Sequence, residues 1–334
     1  MPHSNISIFI PHMGCKNNCS FCNQNVISNT QVPPSADDVT AILNKACDTL
    51  SDPQNTEIAF FGGTFTSLDK SYMTALLKAA QPFINKYNLK GIRISTRPDC
   101  IDEDILLLLK KYNVKSIEIG AQSMCDHVLF ANKRGHLPID VKKSAELIKA
   151  HEFSLGIQMM TGLYQSELED EIDTANRIIA LAPETVRIYP IVILKGTRLE
   201  ELYNQGLYKL PRFDDMVSLC ADLLELFRSN NINVIRLGLH ASTDMEPQIV
   251  AGYYHPAFCE ICESVLFRRK IEREIIGDEA YIVYVNPKDL SKALGHKKSN
   301  IAYFKEMGKN VIIISDSFIH KNEILIKKTV DKCI

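Results

Sequence analysis

Short apolar runs alternating with longer stretches of helical spacing constrain this chain more than any other feature. The runs are Ile6–Ile10, Glu57–Phe61, Ile92–Ser95, Ser116–Gly120, Leu155–Met160, Thr185–Tyr189 and Val234–Leu239. Between them the spacing predicts helices over 36–50, 69–87, 102–112, 139–151, 167–181 and 213–229. Asp69 and Asp102 stand where N-caps belong. Such alternation is the pattern of a parallel sheet covered by helices. It predicts an α/β chain whose residues 1–240 form a partial (β/α)6 barrel of the TIM type, with the loops after the strands building a site at the C-terminal face.

The first run leads across a short turn into Gly14–Gln24, where Cys15, Cys19 and Cys22 stand at C-x3-C-x2-C spacing. Three thiolates so close in sequence can share one small metal site. A structural zinc site normally closes with four ligands, whereas three cysteines leave a [4Fe-4S] cluster with one iron open for chemistry. Lys16, Asn17, Asn18 and Ser20 suit a loop that wraps a cluster and turns backbone N–H groups toward its sulfurs. Phe21, between the last two thiols, can cover the cofactor. A zinc knuckle short of its fourth ligand, or three reduced thiols without metal, are the other readings of the same residues. After the second run comes Phe60-Phe61-Gly62-Gly63-Thr64, whose paired glycines either let a ligand approach the backbone or make a tight turn.

The cysteine spacing, with an aromatic just before the third thiol, resembles the radical S-adenosylmethionine (radical SAM) enzymes. The resemblance implies that Cys15, Cys19 and Cys22 hold a [4Fe-4S] cluster and that S-adenosylmethionine chelates the open iron. An electron from a donor such as flavodoxin or ferredoxin would then cleave it to a 5′-deoxyadenosyl radical. Gly62, Gly63 and Thr64 resemble the family's GGE-type motif for the methionine amino group, with Thr64 in place of the usual acid.

Ser95-Thr96-Arg97-Pro98-Asp99, Glu118-Ile119-Gly120-Ala121-Gln122-Ser123 and Arg134-Gly135-His136 resemble one branch of that family, the elongator catalytic subunit and the oxygen-independent coproporphyrinogen oxidases. By that resemblance Ser95, Gln122 and Ser123 lie near the ribose or the substrate, and Arg134 meets the cofactor carboxylate, which its planar fork suits. Gln122 and Arg134 are the candidates for a direct chemical role, and His136 is either a third or a loop histidine. Gln158, an amide on an otherwise apolar strand, needs a partner inside a barrel. It joins Phe21 and Tyr189 among the cofactor-binding candidates, although Tyr189 also reads as a core tyrosine. Relatives follow Gly162-Leu163 with Pro-Gly; here Tyr164 and Gln165 follow, which leaves the substrate open. Arg187-Ile188-Tyr189-Pro190 and Lys195-Gly196-Thr197 resemble the elongator subunit more than the porphyrin enzyme.

Residues 241–275 read as a closing segment and linker, with Glu246-Pro247-Gln248 and Gly252 to Phe258 as loop. Cys259 and Cys262 form a CxxC, read as two cysteines one helical turn apart, or a redox-sensitive pair, ahead of a second cluster. From 276 to 334 a small α/β module follows: strand Tyr281–Val285, helical turns Pro287–Leu294, Gly295-His296-Lys297-Lys298, helix Asn300–Met307 and strand Val311–Ile314. The layout resembles a KH module, in which a GxxG loop between two helices clamps a nucleic-acid backbone; Lys298 replaces the second glycine. Gly295, His296, Lys297 and Lys298 would offer charge and helix N–H groups to phosphate, or the lysines are merely solvated.

A net charge of −2 gives no sign of a wholesale polyanion binder but permits local basic patches. No apolar run reaches membrane-spanning length. Ten cysteines without a signal-peptide pattern predict a reducing cytoplasm. Cys47, Cys100, Cys125, Cys220 and Cys333 read as core or surface thiols. About seventy residues follow position 264, too few for the acetyltransferase domain of an elongator subunit. The expectation is a radical SAM enzyme acting on RNA, transfer RNA foremost. The alternatives are a small-molecule or tetrapyrrole substrate, or a non-catalytic cluster protein that senses oxygen and binds RNA.

Overall fold

The computed structural model describes residues 4–11, 13–15, 17–23, 32–240, 245–277 and 279–329. Lys16, Gln24, Cys333 and positions 241–244 of the expected linker lie outside these. The chain divides into two compact units, Met1–Pro211 with Leu226–Tyr254, and Arg212–Glu225 with His255–Ile334.

Strand and helix alternate as the pattern requires. In order come β1 (Ser4–Ile10), α1 (Ala36–Cys47), β2 (Thr56–Gly62), α2 (Lys70–Tyr87), β3 (Gly91–Thr96), α3 (Glu103–Lys111), β4 (Val114–Gln122), α4 (Asp126–Ala131) and α5 (Pro138–Ala150). Then follow β5 (Ser154–Thr161), α6 (Leu168–Ala180), β6 (Thr185–Pro190), β7 (Val192–Leu194), α7 (Arg198–Asn204), α8 (Phe213–Ser229), β8 (Asn233–Leu237) and β9 (Ile249–Gly252). Seven strands pair in the order β1-β2-β3-β4-β5-β6-β8, all parallel. The sheet is a curled, partial barrel that ends at β1 and β8, as the sequence predicted. Asp69 caps α2 by accepting from the N–H groups of Ser71 and Tyr72, and Asp102 caps α3 through Ile105 N. Each cap is worth about 1 kcal/mol.

Period two decides what each strand shows to each side. Ile58, Phe60, Ile94, Ile117, Ile119 and Ile188 on one face are wholly buried, each worth about 1.5–3 kcal/mol. Glu57, Arg93, Ser95, Ser116, Glu118, Gln158, Arg187 and Tyr189 occupy the alternate positions and line the inner face. Registers such as Ser95↔Glu118 and Gln158↔Arg187 bring them side by side. At the C-terminal end of β4 the register slips between Gly120 and Gln122. Gln122 takes up the irregularity with φ +65°, a left-handed backbone rare for a residue with a Cβ.

β7 and β9 form an antiparallel pair that the sequence did not announce. Strands of three and four residues are too short to show a period, so Gly252 was expected in a loop and instead ends β9.

The second unit contains α9 (Phe258–Glu274), β10 (Ala280–Val285), α10 (Leu290–Leu294), α11 (Ser299–Glu306), β11 (Asn310–Ser315) and β12 (Ile324–Thr329). β10 pairs in parallel with β11 and antiparallel with β12. Phe267 and Ile271 of α9 pack with Val283, Val285, Ala293, Phe304, Val311 and Ile313 in one apolar core. The core therefore reaches back before position 276 to take in α9. β12 was missed because Lys327 and Lys328 break its alternation, a habit of edge strands.

Candidate active site

The loop after β1 carries Cys15, Cys19 and Cys22, each partly exposed and none in a disulfide. It is fastened on several sides. Gly63 N donates to Ile10 O at 2.8 Å and Thr64 N to Met13 O at 3.0 Å. This backbone-to-backbone packing explains the paired glycines. A Cβ at Gly62 would stand 2.4 Å from Ile10 O and one at Gly63 2.2 Å from Met13 O, so neither position has room for a side chain. Asn17 Nδ2 donates to Arg134 O at 3.3 Å and Asn23 Nδ2 to Lys195 O at 3.1 Å. Phe21 is buried.

Two of the thiols have named neighbours. The Thr64 hydroxyl lies 3.3 Å from Cys15 Sγ. Arg134 Nη1 donates to Cys19 Sγ at 3.1 Å, and its Nη2 donates to Gly120 O at 2.6 Å. Arg97, held in a two-pronged ion pair by Asp99 at 2.9 Å on each prong, also stands close enough to Cys19 for the charges to interact. Donors placed around a ligand sulfur orient it and tune the metal that it holds.

Among the described residues no three His, Cys, Asp or Glu side chains meet at a single point, as one lone ion would require. A four-iron cluster asks for something different, because each thiolate takes a separate iron. The three thiols, the cationic groups beside Cys19 and the close-packed glycine edge fit such a cluster. Buried polar atoms add to the fit: among the described residues Gln122 Oε1 and Arg134 Nε have no hydrogen-bond partner. An unmet acceptor on a strained backbone at a strand end marks a place shaped for something other than the fold.

Below the loop, the inner face is a ladder of charge. Glu118 accepts from Arg93 Nη1 at 2.9 Å, from Arg187 Nε at 2.7 Å and Nη2 at 2.9 Å, and from Gln158 Nε2 at 2.9 Å. Arg93 Nε reaches on to Glu57 at 2.7 Å, and Ser116 Oγ donates to the same carboxylate at 2.5 Å. Burial alone would raise the Glu118 carboxyl; Arg187 and Arg93 overcome it and hold the group below the usual carboxylate range. Gln158 thus has the partner it needs, and its Nε2 also lies 3.3 Å from Ser95 Oγ. Arg187 stacks over Phe61 at 4.9 Å. Burial raises the Tyr189 phenol against the pull of Arg187. His136 is pushed down to about 3 by burial, then by Arg134 and Arg97, so it stays neutral at physiological pH.

Sequence reasoning missed Glu57, Arg93 and Glu118 as a set. The available signal was a single charged residue in each of three otherwise largely apolar runs. It also missed Glu171 on α6, whose Oε1 accepts from Gly162 N. Burial pushes that carboxyl up to about 7. The structure brings Gly62, Gly63, Thr64 and Arg134 to the cysteine loop, Gln122 to Gly120 beside Arg134, and Ser95, Gln158 and Tyr189 to the ladder.

Gly295, His296, Lys297 and Lys298 lie in the second unit, between α10 and α11. A Cβ at Gly295 would stand 2.4 Å from Ser299 Oγ and 2.7 Å from Asn300 N, which fixes glycine there. Lys297 and Lys298 are exposed and both left-handed, with φ +53° and +61°. The His296 ring meets the His255 ring edge-on at 5.1 Å. Cys259 and Cys262 fall on the first turns of α9, where contact with Cys220 and burial push the Cys262 thiol up.

Comparison with known proteins gives matches over both units. The radical SAM superfamily model matches residues 9–178, and the radical SAM C-terminal domain model matches 183–268. Elongator complex protein 3 of Homo sapiens is 30% identical over 51% of this chain and 35% of its own length. The tRNA uridine(34) acetyltransferase of Methanocaldococcus jannaschii is 25% identical over 49% of this chain and 34% of its own. The chain thus spans about a third of the length of these two relatives. A solved structure of the archaeal Methanocaldococcus infernus Elp3 superposes with a TM-score of 0.63 at 19% identity, covering 81% of this chain and 64% of that one. No helix among the described residues is long and apolar enough to cross a membrane.

Proposed function

The chain belongs to the radical SAM superfamily, and from that premise we propose that it is a cytoplasmic enzyme whose radical chemistry modifies RNA, transfer RNA foremost. As a member it is a radical S-adenosylmethionine enzyme, with a [4Fe-4S] cluster and S-adenosylmethionine as cofactors. When bound, these supply a one-electron cleavage that yields a 5′-deoxyadenosyl radical. In this reading Cys15, Cys19 and Cys22 would ligate three irons. The Gly62-Gly63-Thr64 edge would receive the methionine amino group on backbone carbonyls and the Thr64 hydroxyl. Arg134 would exchange part of its present hydrogen bonding for the cofactor carboxylate. Ser95, Gln122, Gln158 and Tyr189 would border the nucleoside, and the buried inner face would keep water from the radical. A low-potential carrier such as flavodoxin or ferredoxin would supply the electron.

The observation that carries the RNA half is the Gly295–Lys298 loop. It holds two adjacent exposed lysines, both with left-handed backbone, beside the start of a helix, where a phosphate would find charge and backbone N–H groups. The tRNA named in one relative's description agrees with it. On this reading the barrel of residues 1–240 performs the chemistry and the module of 276–334 grips the phosphate backbone.

Anaerobically reconstituted protein, given dithionite and S-adenosylmethionine, is expected to release 5′-deoxyadenosine slowly, and faster when transfer RNA is added. Mass spectrometry of nucleosides from that RNA is expected to show a new mass. Acceleration by a tetrapyrrole or other small molecule, with none by RNA, would overturn the RNA reading.

A further inference from the structure

Ser20 lies between two of the three cysteines, and each of its polar groups is taken by another part of the barrel. Its N–H donates to Asn132 O at 3.1 Å and its carbonyl accepts from Leu199 N at 2.8 Å. Its hydroxyl donates to Asn132 Oδ1 at 2.7 Å. Asn132 is fully buried and is itself completely used. Its Nδ2 donates to Val128 O and to Tyr164 O, both at 2.8 Å. The loop of Tyr164 is anchored in turn at Gly162, whose N–H donates to Glu171 and whose carbonyl accepts from the Tyr208 hydroxyl.

One side chain therefore ties together the loop after β1, the connection after β4 and the connection after β5. The chemistry of asparagine is needed for this. Aspartate would set a carboxylate against two carbonyls, and an apolar residue would take their side-chain partner from the Ser20 hydroxyl and the Tyr164 carbonyl, while Val128 O keeps the Asn132 N–H. We infer that Asn132 is a positioning residue for the cluster: through Ser20 it fixes where Cys19 and Cys22 present their thiolates, and so the geometry and redox behaviour of the iron they bind. Outer residues that orient ligands tune metal sites in this way. The inference rests on these cysteines as ligands, which Cys19→Ala tests separately by loss of iron.

The test uses the full chain, reconstituted anaerobically, with Asn132→Ala, Ser20→Ala, the double variant, and Lys133→Ala as a neighbouring exposed control. Each is assayed for iron and sulfide content, rate of cluster loss to an iron chelator, electron paramagnetic resonance of the reduced cluster, midpoint potential, and melting of the cluster-free protein. Asn132→Ala is expected to lose its cluster at least about tenfold faster, with an altered resonance and a shifted potential. Ser20→Ala is expected to change the same readouts less, since its backbone bonds survive. The double variant should be no worse than Asn132→Ala, and Lys133→Ala unchanged.

A folded Asn132→Ala with the wild-type resonance, potential and rate of loss overturns the inference. Should Asn132→Ala fail to fold, Ser20→Ala decides, and wild-type values for it overturn the inference equally.

Discussion

Two candidate loops of this chain are built on opposite plans. The cysteine loop is bonded by the barrel from several directions, with Ser20, Asn17 and Asn23 all held by residues far away in sequence. The Gly295–Lys298 loop projects two solvated lysines and stores its tension in its own backbone. The first plan suits a small cofactor that must sit in one place, because fixed dipoles act without reorganising. The second suits a long polyanion met mainly through charge, where exact placement matters less than attraction.

The contrast can be broken most severely at the ligands. Cys15→Ala, Cys19→Ala or Cys22→Ala is expected to abolish 5′-deoxyadenosine release and leave iron and sulfide near zero, while RNA retention persists.

Next comes the ladder behind the cysteine loop. Glu118→Gln leaves the buried Arg187 guanidinium without its carboxylate and Arg93 with Glu57 alone, and denaturant unfolding should show about 3–5 kcal/mol lost. A loss under 1 kcal/mol would mean that water reaches the inner face.

Glu171 offers a milder test through pH. Its folded value of about 7 lies above the ordinary 4.5. The folded state therefore holds a proton that the unfolded chain releases. The resulting stability is full below about 4.5 and is lost as pH rises through about 7, by roughly 3 kcal/mol. Glu171→Gln should flatten that part of a stability-against-pH profile.

At the other loop the effects are smaller and of another kind. Lys297→Ala with Lys298→Ala should reduce the slope of log affinity against log salt by about 1.4 for single-stranded RNA and leave stability within about 0.5 kcal/mol. Smallest of all, Lys298→Gly removes one charge and relieves a left-handed residue. It should stabilise the fold by up to about 1 kcal/mol while weakening RNA binding, and melting curves beside salt titrations would separate the two.

How much of this was readable from the chain alone differs by physical cause. The strands and helices of the barrel were legible because each is long enough to repeat its period, and Asp69 and Asp102 marked helix starts by their own chemistry. The cysteine loop was legible because its spacing is local. The ladder was not: Arg93 reads as a solvent-side residue until Glu57 and Glu118 are known to flank it on neighbouring strands. Asn132 looked like any polar residue before a turn. Its five hydrogen bonds join residues 4, 32 and 112 places away, and no short window along the sequence contains them. Arg134 was singled out by its motif, but its contact with Cys19 spans 115 positions and appears only in the folded chain.

The sheet stops at β1 on one side and β8 on the other, and neither edge finds a partner strand across the gap among the described residues. A closed ring admits only what can pass along its axis. An arc with a lateral slit can be entered side-on, so a body far larger than the cavity can offer a single protruding group without threading the rest of itself through.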